Sequence, residues 1–439
     1  MSSGMSAERL RVLVLAFQCN PDWPSLPILA HRMVKTISQH VDVTVVTPHY
    51  NQPNIERVGI GNAKVVYFNQ NKWQVPLARI STFLRGGNQV AWTTQMAMDY
   101  PAYVLFEQEV WQQFGRQIRQ GEFDLIHRIT PMTTTIPSPI ASRSPIPFLM
   151  GPLNSGLPWM PEYRAELVRE REWMTYLRGA SRLMPFYQST YRKGTAFLTA
   201  HAHTRNDIPK AAQERAIDFP ETGYDPQQFF PVDRSGRERK TILFAGRLVP
   251  YKLPEVVVRA FAASPILREH RLVIVGDGPE RPRLEEMVAA AGIQEAVEFH
   301  QSMPYLEFPR MMQEADIFAF PSIRELGGGV IIEAMASGLP CVVIDYGGPS
   351  VFVNSDRGVK VQPGSVDELV DRYQRELEGL VTNPDRMIQL GQAAHQHVLE
   401  YYAWEAKGYK LLEIYRWLAG LEETKPDYWQ SDNSMPIPV

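Results

Sequence analysis

The chain has 439 residues, of which 44% are hydrophobic and 21% charged, and its formal net charge is −3. This composition is ordinary for a globular protein, and the length predicts two or three domains, each with its own core. The near-neutral charge gives no reason to expect a nucleic-acid partner. The apolar run "VLVLAF" near the N-terminus is too short for a signal peptide, and no stretch approaches the roughly 20 apolar residues that span a bilayer.

Cysteine usage and missing motifs narrow the class further. Cys19 and Cys341 are far apart in sequence and provide no disulfide framework, which predicts a cytoplasmic protein. No Asp-x-Asp, His-Glu-x-x-His or paired Cys-x-x-Cys pattern occurs. We therefore expect neither a metal site nor a bound cofactor.

Short apolar runs alternate with helical stretches along the first half of the chain. The helical stretch nearest the N-terminus covers about residues 27–39. The predicted strands are Arg11–Phe17, Val41–Pro48, Ala63–Phe68, Phe123–Thr130, Ile146–Gly151 and Thr195–His201. Alternating strands and helices predict a parallel sheet covered by helices on both faces.

The same pattern restarts after residues 219–240, a segment rich in proline, glycine and charge that predicts a linker. The predicted strands of this half are Thr241–Arg247, Arg271–Pro279, Ala296–Gln301, Ala315–Ser322, Pro340–Asp345 and Gly358–Pro363, and the helices between them include Leu253–Ala262, Glu280–Ala291 and Ser365–Glu378. We predict an α/β fold of two doubly wound, Rossmann-like domains that face each other across a cleft. Their predicted bounds are 1–228 and 229–403, and 404–439 is predicted to be a helix that packs back on the N-terminal domain, followed by a frayed tail.

Three consecutive glycines, Gly327–Gly329, lie between a predicted strand and a predicted helix in "RELGGGVIIEAMASGLP". The strand Ala315–Ser322 ends just before this stretch, and the helix is predicted for Val330–Ser337. A glycine loop that enters a helix exposes unpaired backbone N–H groups at the positive end of the helix dipole. Such a helix start binds phosphate, and glycine lets the ligand approach the backbone closely.

Two cations and two carboxylates accompany the glycine run. Arg247 and Lys252 follow the strand that opens the second half, and both can bind phosphate oxygens. Glu325 and Glu333 bracket the glycines and can accept hydrogen bonds from sugar and ribose hydroxyls. Taken singly, each carboxylate or cation could be an ordinary surface residue and the glycines a flexible turn. Their shared placement at the carboxyl ends of parallel strands favours a site for a nucleotide sugar.

The second half resembles the retaining glycosyltransferases of family 4, which have the GT-B fold. The stretches that carry the resemblance are "PETGYDPQQFFP", "FAGRLVPYK", "LVIVGDGPE", "VEFHQ", "ADIFAFPSIRELGGGVIIEAMASGLPCVV" and "DYGGP". The resemblance implies that 229–403 binds the donor, a nucleotide-diphosphate sugar, with a UDP-sugar favoured over a GDP-sugar. The donor residues that it implies are Arg247, Lys252, Gly276, Asp277, Gly278, Gln301, Glu325, Leu326, Gly327, Gly328, Gly329, Val330 and Glu333.

The first half is similar to a bacterial subset of the family, many of them linked to polysaccharide or glycolipid assembly, through "DLIHRIT" and "PFLMGPLNSG". This implies that 1–228 binds the acceptor, a glycan, a lipid-linked saccharide or a small molecule. It also implies that His127 lies near the reacting centre with Glu325, Arg247 and Lys252, although a packed structural histidine is the alternative. The acceptor residues that it implies are Asn20, Trp23, Gly151, Pro152, Asn154 and Ser155. The loop Gln18–Pro27 lacks the glycine pair that is usual in the family.

Other functions remain open beside transfer. A nucleotide-sugar epimerase or a phosphorylase can use the same fold, and a non-catalytic partner subunit can keep it. "GDGPER" has Arg281 where a dinucleotide-binding fingerprint requires its third glycine, and no Gly-x-x-x-x-Gly-Lys-Ser/Thr loop occurs. Nicotinamide and P-loop enzymes are therefore disfavoured.

One basic segment, 163–193, interleaves arginines with aromatic and aliphatic residues. Basic amphipathic helices can lie on anionic membranes. A peripheral contact with the inner face of the plasma membrane is therefore one interpretation of the segment. The alternative is a helical pair on the N-terminal sheet with a solvated charged face.

Overall fold

The computed structural model describes residues 9–69, 92–163, 181–303 and 307–429. These residues form two compact units, each built on one parallel sheet. The first unit contains 9–156, 181–221 and 404–429, without the part between 69 and 92, and the second contains 157–163 and 222–403, without 304–306. The sequence placed the boundary between 228 and 229, whereas the structure divides the chain between Glu221 and Thr222 and assigns 157–163 to the second unit.

The first sheet has seven strands in the order β3-β2-β1-β4-β5-β6-β7. Their bounds are β1 Arg11–Ala16, β2 Asp42–Pro48, β3 Lys64–Phe68, β4 Leu125–Thr130, β5 Phe148–Leu153, β6 Ala196–Thr199 and β7 Ala216–Asp218. All six strands expected in this half are present. The sequence missed β7, because three residues are too few for a periodic pattern.

The second sheet has six strands in the order β10-β9-β8-β11-β12-β13. Their bounds are β8 Thr241–Ala245, β9 Arg271–Val275, β10 Val297–His300, β11 Ile317–Phe320, β12 Cys341–Ile344 and β13 Gly358–Val361. Every pairing between these strands is parallel. The prediction of two doubly wound α/β domains is confirmed.

Helices cover both sheets, and for this reason the central strands are buried on both faces. Their bounds are α1 Leu26–Ile37, α2 Gln52–Val58, α3 Trp92–Arg119, α4 Tyr187–Lys193, α5 Ala202–Asp207, α6 Lys210–Gln213, α7 Pro254–Ala263, α8 Pro265–Arg268, α9 Arg281–Ala290, α10 Phe308–Glu314, α11 Gly329–Ala336, α12 Pro349–Phe352, α13 Val366–Val381, α14 Pro384–Tyr402 and α15 Trp404–Leu418. None of those within the described residues is both long and apolar enough to cross a bilayer.

The last helix, α15, belongs to the first unit and packs against α1. Its Gly408 lies so close to α1 that a Cβ there would be 2.7 Å from Cγ2 of Thr36. The ring of His40, just after α1, lies 4.6 Å from that of Tyr409. The chain therefore returns to its N-terminal unit after completing the second sheet.

Candidate functional site

The carboxyl ends of β8 and β11 are neighbours at the centre of the second sheet. The strand order reverses between them, since β9 and β10 continue on one side and β12 and β13 on the other. In open α/β sheets, such a reversal leaves a crevice beyond the strand ends, where ligands bind. The loops after β8 and β11 carry Lys252 and Glu325.

Lys252 and Glu325 form an ion pair at this point. The Nζ atom of Lys252 lies 2.7 Å from Oε2 of Glu325, and the two side chains are only 10% and 20% exposed. The same Nζ lies 4.6 Å from the centroid of the Phe320 ring, so the ring face also stabilises its charge. An ammonium group has three N–H donors, and this arrangement leaves Lys252 able to bind a ligand while it contacts Glu325.

The ionisation of Glu325 is set by competing effects. Burial acts to raise its pKa, but the charge and hydrogen bond of Lys252, the Gly328 N–H and the charge of Arg247 together outweigh burial. The pKa of Glu325 therefore lies below its ordinary value. The Gly328 nitrogen is 3.1 Å from Oε1. At neutral pH Glu325 is a carboxylate that accepts hydrogen bonds, and it can therefore bind the O–H groups of a sugar.

The glycine run adopts a conformation that a larger residue would disturb. Gly328 has φ +49°, and a Cβ there would be 2.5 Å from the Phe352 ring. Helix α11 begins at Gly329, so the N–H groups of Gly329 and Val330 have no acceptor within the helix. Of the predicted phosphate-binding N–H groups of Gly327–Val330, that of Gly328 is already bonded to Glu325.

A threonine that the sequence analysis did not single out supports the same run. The Thr222 hydroxyl donates a hydrogen bond to the Gly327 carbonyl, with 2.6 Å between the oxygens. A Cβ at Gly329 would lie 3.6 Å from Cγ2 of Thr222. Thr222 lies in the segment predicted to be a linker, and so part of that linker helps to hold the loop.

Arg247 and Glu333 complete the predicted charged set. Arg247 is exposed, donates to the Tyr251 hydroxyl and lies with its guanidinium carbon 5.8 Å from the Tyr251 ring centroid. Its charge also acts on Glu325, as described above. Glu333 is half-buried in the second turn of α11, and its ribose-binding role stays a prediction.

Glycines after β9 allow two neighbouring loops to pack closely. A Cβ at Gly276 would be 2.0 Å from the Gly246 carbonyl oxygen, and one at Gly278 would be 2.2 Å from that of Leu248. Asp277, between them, accepts a hydrogen bond from the Ser302 N–H. Two further predicted donor residues differ in exposure, since Leu326 is half-buried and Gln301 is exposed. Close packing between the two loops accounts for the two glycines. The predicted contact of these residues with the donor stays a prediction.

Residues 157–163, which we call the strap, lie against the loops of the second unit. The Tyr346 hydroxyl donates to the Pro158 carbonyl at 2.8 Å, and the Arg324 guanidinium carbon lies 5.0 Å from the Trp159 ring centroid. A Cβ at Gly347 would be 2.5 Å from both Cδ1 of Leu157 and the Glu325 carbonyl oxygen. The strap thus contacts the residues that flank Glu325, and sequence reasoning missed it.

His127 is fully buried in the first unit, on β4. Its Nε2 lies 2.7 Å from the Gly151 carbonyl and its Nδ1 lies 2.6 Å from the Tyr415 hydroxyl of α15. Burial lowers its pKa to about 4, so the ring is neutral, with Nε2–H as donor and Nδ1 as acceptor. This geometry favours the structural alternative over a role at the reacting centre.

The six predicted acceptor residues differ in accessibility. Trp23 is 44% exposed and Asn154 is half-buried, with its amide 2.5 Å from Glu221. The remaining four are buried, namely Asn20, Gly151, Pro152 and Ser155. Among the six, Trp23 and Asn154 are therefore the accessible residues in this structure. Gly151 and Pro152 lie within β5, and Asn20 and Ser155 make hydrogen bonds inside the first unit.

Most of the segment predicted to contact a membrane, 164–180, lies outside the described residues. Its described end includes Leu183, which is 87% exposed, and helix α4. Within the described parts of the chain, no three His, Cys, Asp or Glu side chains are arranged to hold a metal ion.

Comparison with known proteins bears directly on the second unit. Residues 227–396 match the family model described as "Glycosyl transferases group 1". The matched range contains the whole of the Lys252–Glu325 region. D-inositol 3-phosphate glycosyltransferases from Rhodococcus erythropolis and Corynebacterium urealyticum are 33% and 34% identical to the chain over 223 and 196 residues. These alignments cover 47% and 43% of this chain. They cover 49% and 45% of the two relatives, so the chain spans about half the length of the curated relatives it matches.

Two solved structures are similar over nearly the whole chain. Anabaena HepE in complex with UDP has a TM-score of 0.62 at 16% identity, covering 92% of this chain and 99% of that one. Sucrose-phosphate synthase from Thermosynechococcus elongatus also has a TM-score of 0.62, at 18% identity, covering 94% and 100%. At such identities the likeness concerns the fold, and it confirms the GT-B prediction. The chain therefore has the GT-B fold, and its residues 227–396 resemble a group 1 glycosyltransferase domain.

Proposed function

We propose that the protein is a retaining glycosyltransferase that moves a hexosyl group from a nucleotide-diphosphate sugar to a hydroxyl acceptor. The observation that carries the proposal is the Lys252–Glu325 pair at the strand-order reversal of the second sheet. Arg247 and the start of α11 add positive charge and N–H donors beside it. Cations fit a diphosphate, and an ionised carboxylate fits sugar hydroxyls.

In the proposed reaction, the acceptor oxygen bonds to the anomeric carbon on the face from which the diphosphate leaves. The bond between that carbon and the diphosphate oxygen breaks, its electron pair stays on the diphosphate, and a diphosphate oxygen takes the hydroxyl proton. Lys252, Arg247 and the N–H groups of Gly329 and Val330 stabilise the negative charge that develops. Glu325 accepts hydrogen bonds from the transferred sugar and keeps Lys252 in position.

The donor and the acceptor are proposed by class. Lys252 and Arg247 supply the positive charge that a metal ion supplies in other transferases, so we propose metal-independent transfer. A UDP-sugar is the first candidate donor and a GDP-sugar the second. The acceptor is a saccharide, a lipid-linked saccharide or a small molecule, and D-inositol 3-phosphate, for which the curated relatives are named, belongs in the screen.

A thermal-shift screen of nucleotide sugars, followed by a donor-hydrolysis assay in the presence of EDTA, tests this function. We expect Lys252→Ala to lower hydrolysis by about 10²–10³-fold with the fold intact, because a preorganised group that stabilises developing charge is lost. Lys360→Ala is the matched control. Lys360 is ion-paired with Asp345 at 2.9 Å in the same unit, and its loss should leave hydrolysis unchanged. Near-normal hydrolysis by Lys252→Ala would contradict the assignment.

The same assay separates the alternatives. An epimerase would return a sugar with one inverted centre, which chromatography of the product detects. A non-catalytic partner subunit would bind the nucleotide sugar in the thermal-shift screen without any turnover.

A further inference from the structure

We propose that Trp23, stacked on Tyr50, forms the platform on which a pyranose ring of the acceptor binds. The two ring centroids are 5.7 Å apart and the ring planes differ by only 11°. Tyr50 covers one face of the indole, and Trp23 is nevertheless 44% exposed. The inference rests on the proposed function, since it specifies what the first unit of a glycosyltransferase would hold.

The position of the platform is the first reason for the assignment. Trp23 lies on the loop after β1, and Tyr50 lies in the short helical turn His49–Asn51 after β2. Both therefore lie at the carboxyl edge of the first sheet, where ligands bind in this architecture. The strand order of this sheet reverses between β1 and β4, so the loop after β1 borders the reversal.

The loop that carries Trp23 is held from several sides. The Gln18 N–H donates to the Thr130 hydroxyl, and that hydroxyl donates to the Gln18 carbonyl, both at 3.0 Å, which ties the loop to the end of β4. Buried Asn20 accepts a hydrogen bond from the Asp22 N–H at 3.0 Å. The Tyr50 hydroxyl donates to the Phe17 carbonyl at 2.9 Å. These bonds hold the loop, and the stack on Tyr50 orients the indole, so a ligand that binds on Trp23 pays little to order it.

The chemistry beside the stack favours a sugar over a lipid chain. The C–H bonds on one face of a pyranose carry slight positive charge and are attracted to the negative face of an aromatic ring. Asp22, next to Trp23, is bonded to Arg57 with 2.6 Å between Nη2 and Oδ1, and also to Asn54. The side chains of Asp22 and Arg57 are 39% and 62% exposed. An aromatic surface bordered by a few polar groups is the usual composition of a site that orients a polyhydroxylated ligand.

Saturation-transfer-difference NMR with simple glycosides tests the platform directly. The probes are the methyl α-pyranosides of glucose, galactose and mannose, with the linear polyol sorbitol as the unstacked comparison. We expect at least one pyranoside to receive saturation in the wild-type protein, mainly at the protons of one ring face, and sorbitol to receive none. Trp23→Ala should abolish the signal, and Trp23→Phe should retain part of it.

Phe230→Ala is the matched control, because Phe230 is an aromatic residue of nearly equal exposure, 43%, in the other unit. It should leave the pyranoside signal unchanged. Circular dichroism checks that Trp23→Ala is folded. A signal that persists in Trp23→Ala, or no pyranoside signal in the wild type, would overturn the platform.

UDP binding by the wild-type protein, measured in the same samples, separates this inference from the proposed function. Binding of UDP without a Trp23-dependent pyranoside signal refutes the platform alone. A Trp23-dependent signal without binding of UDP or, in a second titration, of GDP refutes the proposed donor site alone.

Discussion

Lys252 and Glu325 are 73 positions apart in the chain, yet their charged atoms lie 2.7 Å apart. Both were predicted from the same reasoning, because each follows a buried strand and the carboxyl ends of parallel strands share one edge of a sheet. Their direct pairing was not predictable. It depends on β8 lying next to β11, and strand order depends on tertiary packing that no local sequence pattern encodes.

For His127, another single residue, the sequence and the structure point to different roles. Its position near the end of a strand, together with the family resemblance, suggested a place at the reacting centre. In the structure its two ring nitrogens bind the Gly151 carbonyl and the Tyr415 hydroxyl, and Tyr415 comes from α15, at the other end of the chain. A partner 288 positions away could not be identified from the strand that carries His127.

The buried histidine leads to a prediction about pH and stability. Its pKa is about 4 in the folded protein against 6.5 ordinarily, so between these values the unfolded chain binds a proton that the folded protein does not. Its contribution is therefore favourable above pH 6.5 and is lost as the pH falls toward about 4. We expect His127→Gln to reduce the drop in the free energy of unfolding between pH 7 and pH 5 by roughly 2 kcal/mol.

Urea unfolding followed by circular dichroism at the two pH values provides the measurement. His49→Gln is the control, since His49 is exposed and its replacement should leave the drop unchanged. Burial also lowers the pKa of His397 to about 4, so part of the drop in the free energy of unfolding remains in both variants. An unchanged drop in His127→Gln would show that the ring is not held neutral as described.

At the scale of secondary-structure elements, the sequence predicted the strands well but did not predict where the strap packs. Short apolar runs predicted six of the seven strands in the first unit and all six in the second. The strap was missed because residues 157–163 have no periodicity, and a loop's sequence does not indicate which sheet it packs on. The sequence analysis had assigned it to the N-terminal domain, whereas it contacts Arg324, Tyr346 and Gly347 of the second unit.

The strap is expected to fix the loop that carries Glu325. Leu157 is 3% exposed and contacts Gly347, and the neighbouring Gly348 N–H donates to the Glu325 carbonyl at 2.8 Å. Leu157→Ala opens a cavity there and should cost about 2–5 kcal/mol of stability. We also expect the dissociation constant for the donor nucleotide to rise several-fold, measured by calorimetry under conditions where the variant is folded.

Leu421→Ala serves as the comparison for the strap, since Leu421 is 55% exposed in the first unit. Neither its stability nor its nucleotide affinity should change. Loss of stability in Leu157→Ala with unaltered nucleotide binding would mean that the strap packs against the loop without positioning Glu325.

At the scale of the whole molecule, the proposed function rests on more observations in the second unit than in the first. The second unit combines a family match over 227–396 with a charged site at its strand-order reversal. In the first unit, four of the six predicted acceptor residues are buried, and Trp23 is the most accessible of the six. The donor prediction rests on charges and glycines that phosphates require in a recognisable order. The hydroxyls of an acceptor can be bound by many combinations of residues, so the acceptor site is harder to predict from sequence.

A crystal structure of the protein with the nucleoside diphosphate that gives the largest thermal shift would test the central claim most directly. We expect both phosphates to lie within hydrogen-bond distance of Lys252 and Arg247, with the backbone N–H groups of Gly329 and Val330 on the same phosphate oxygens and the nucleoside extending toward Glu333. A diphosphate bound elsewhere in the protein, with the Lys252–Glu325 pair untouched, would contradict the account.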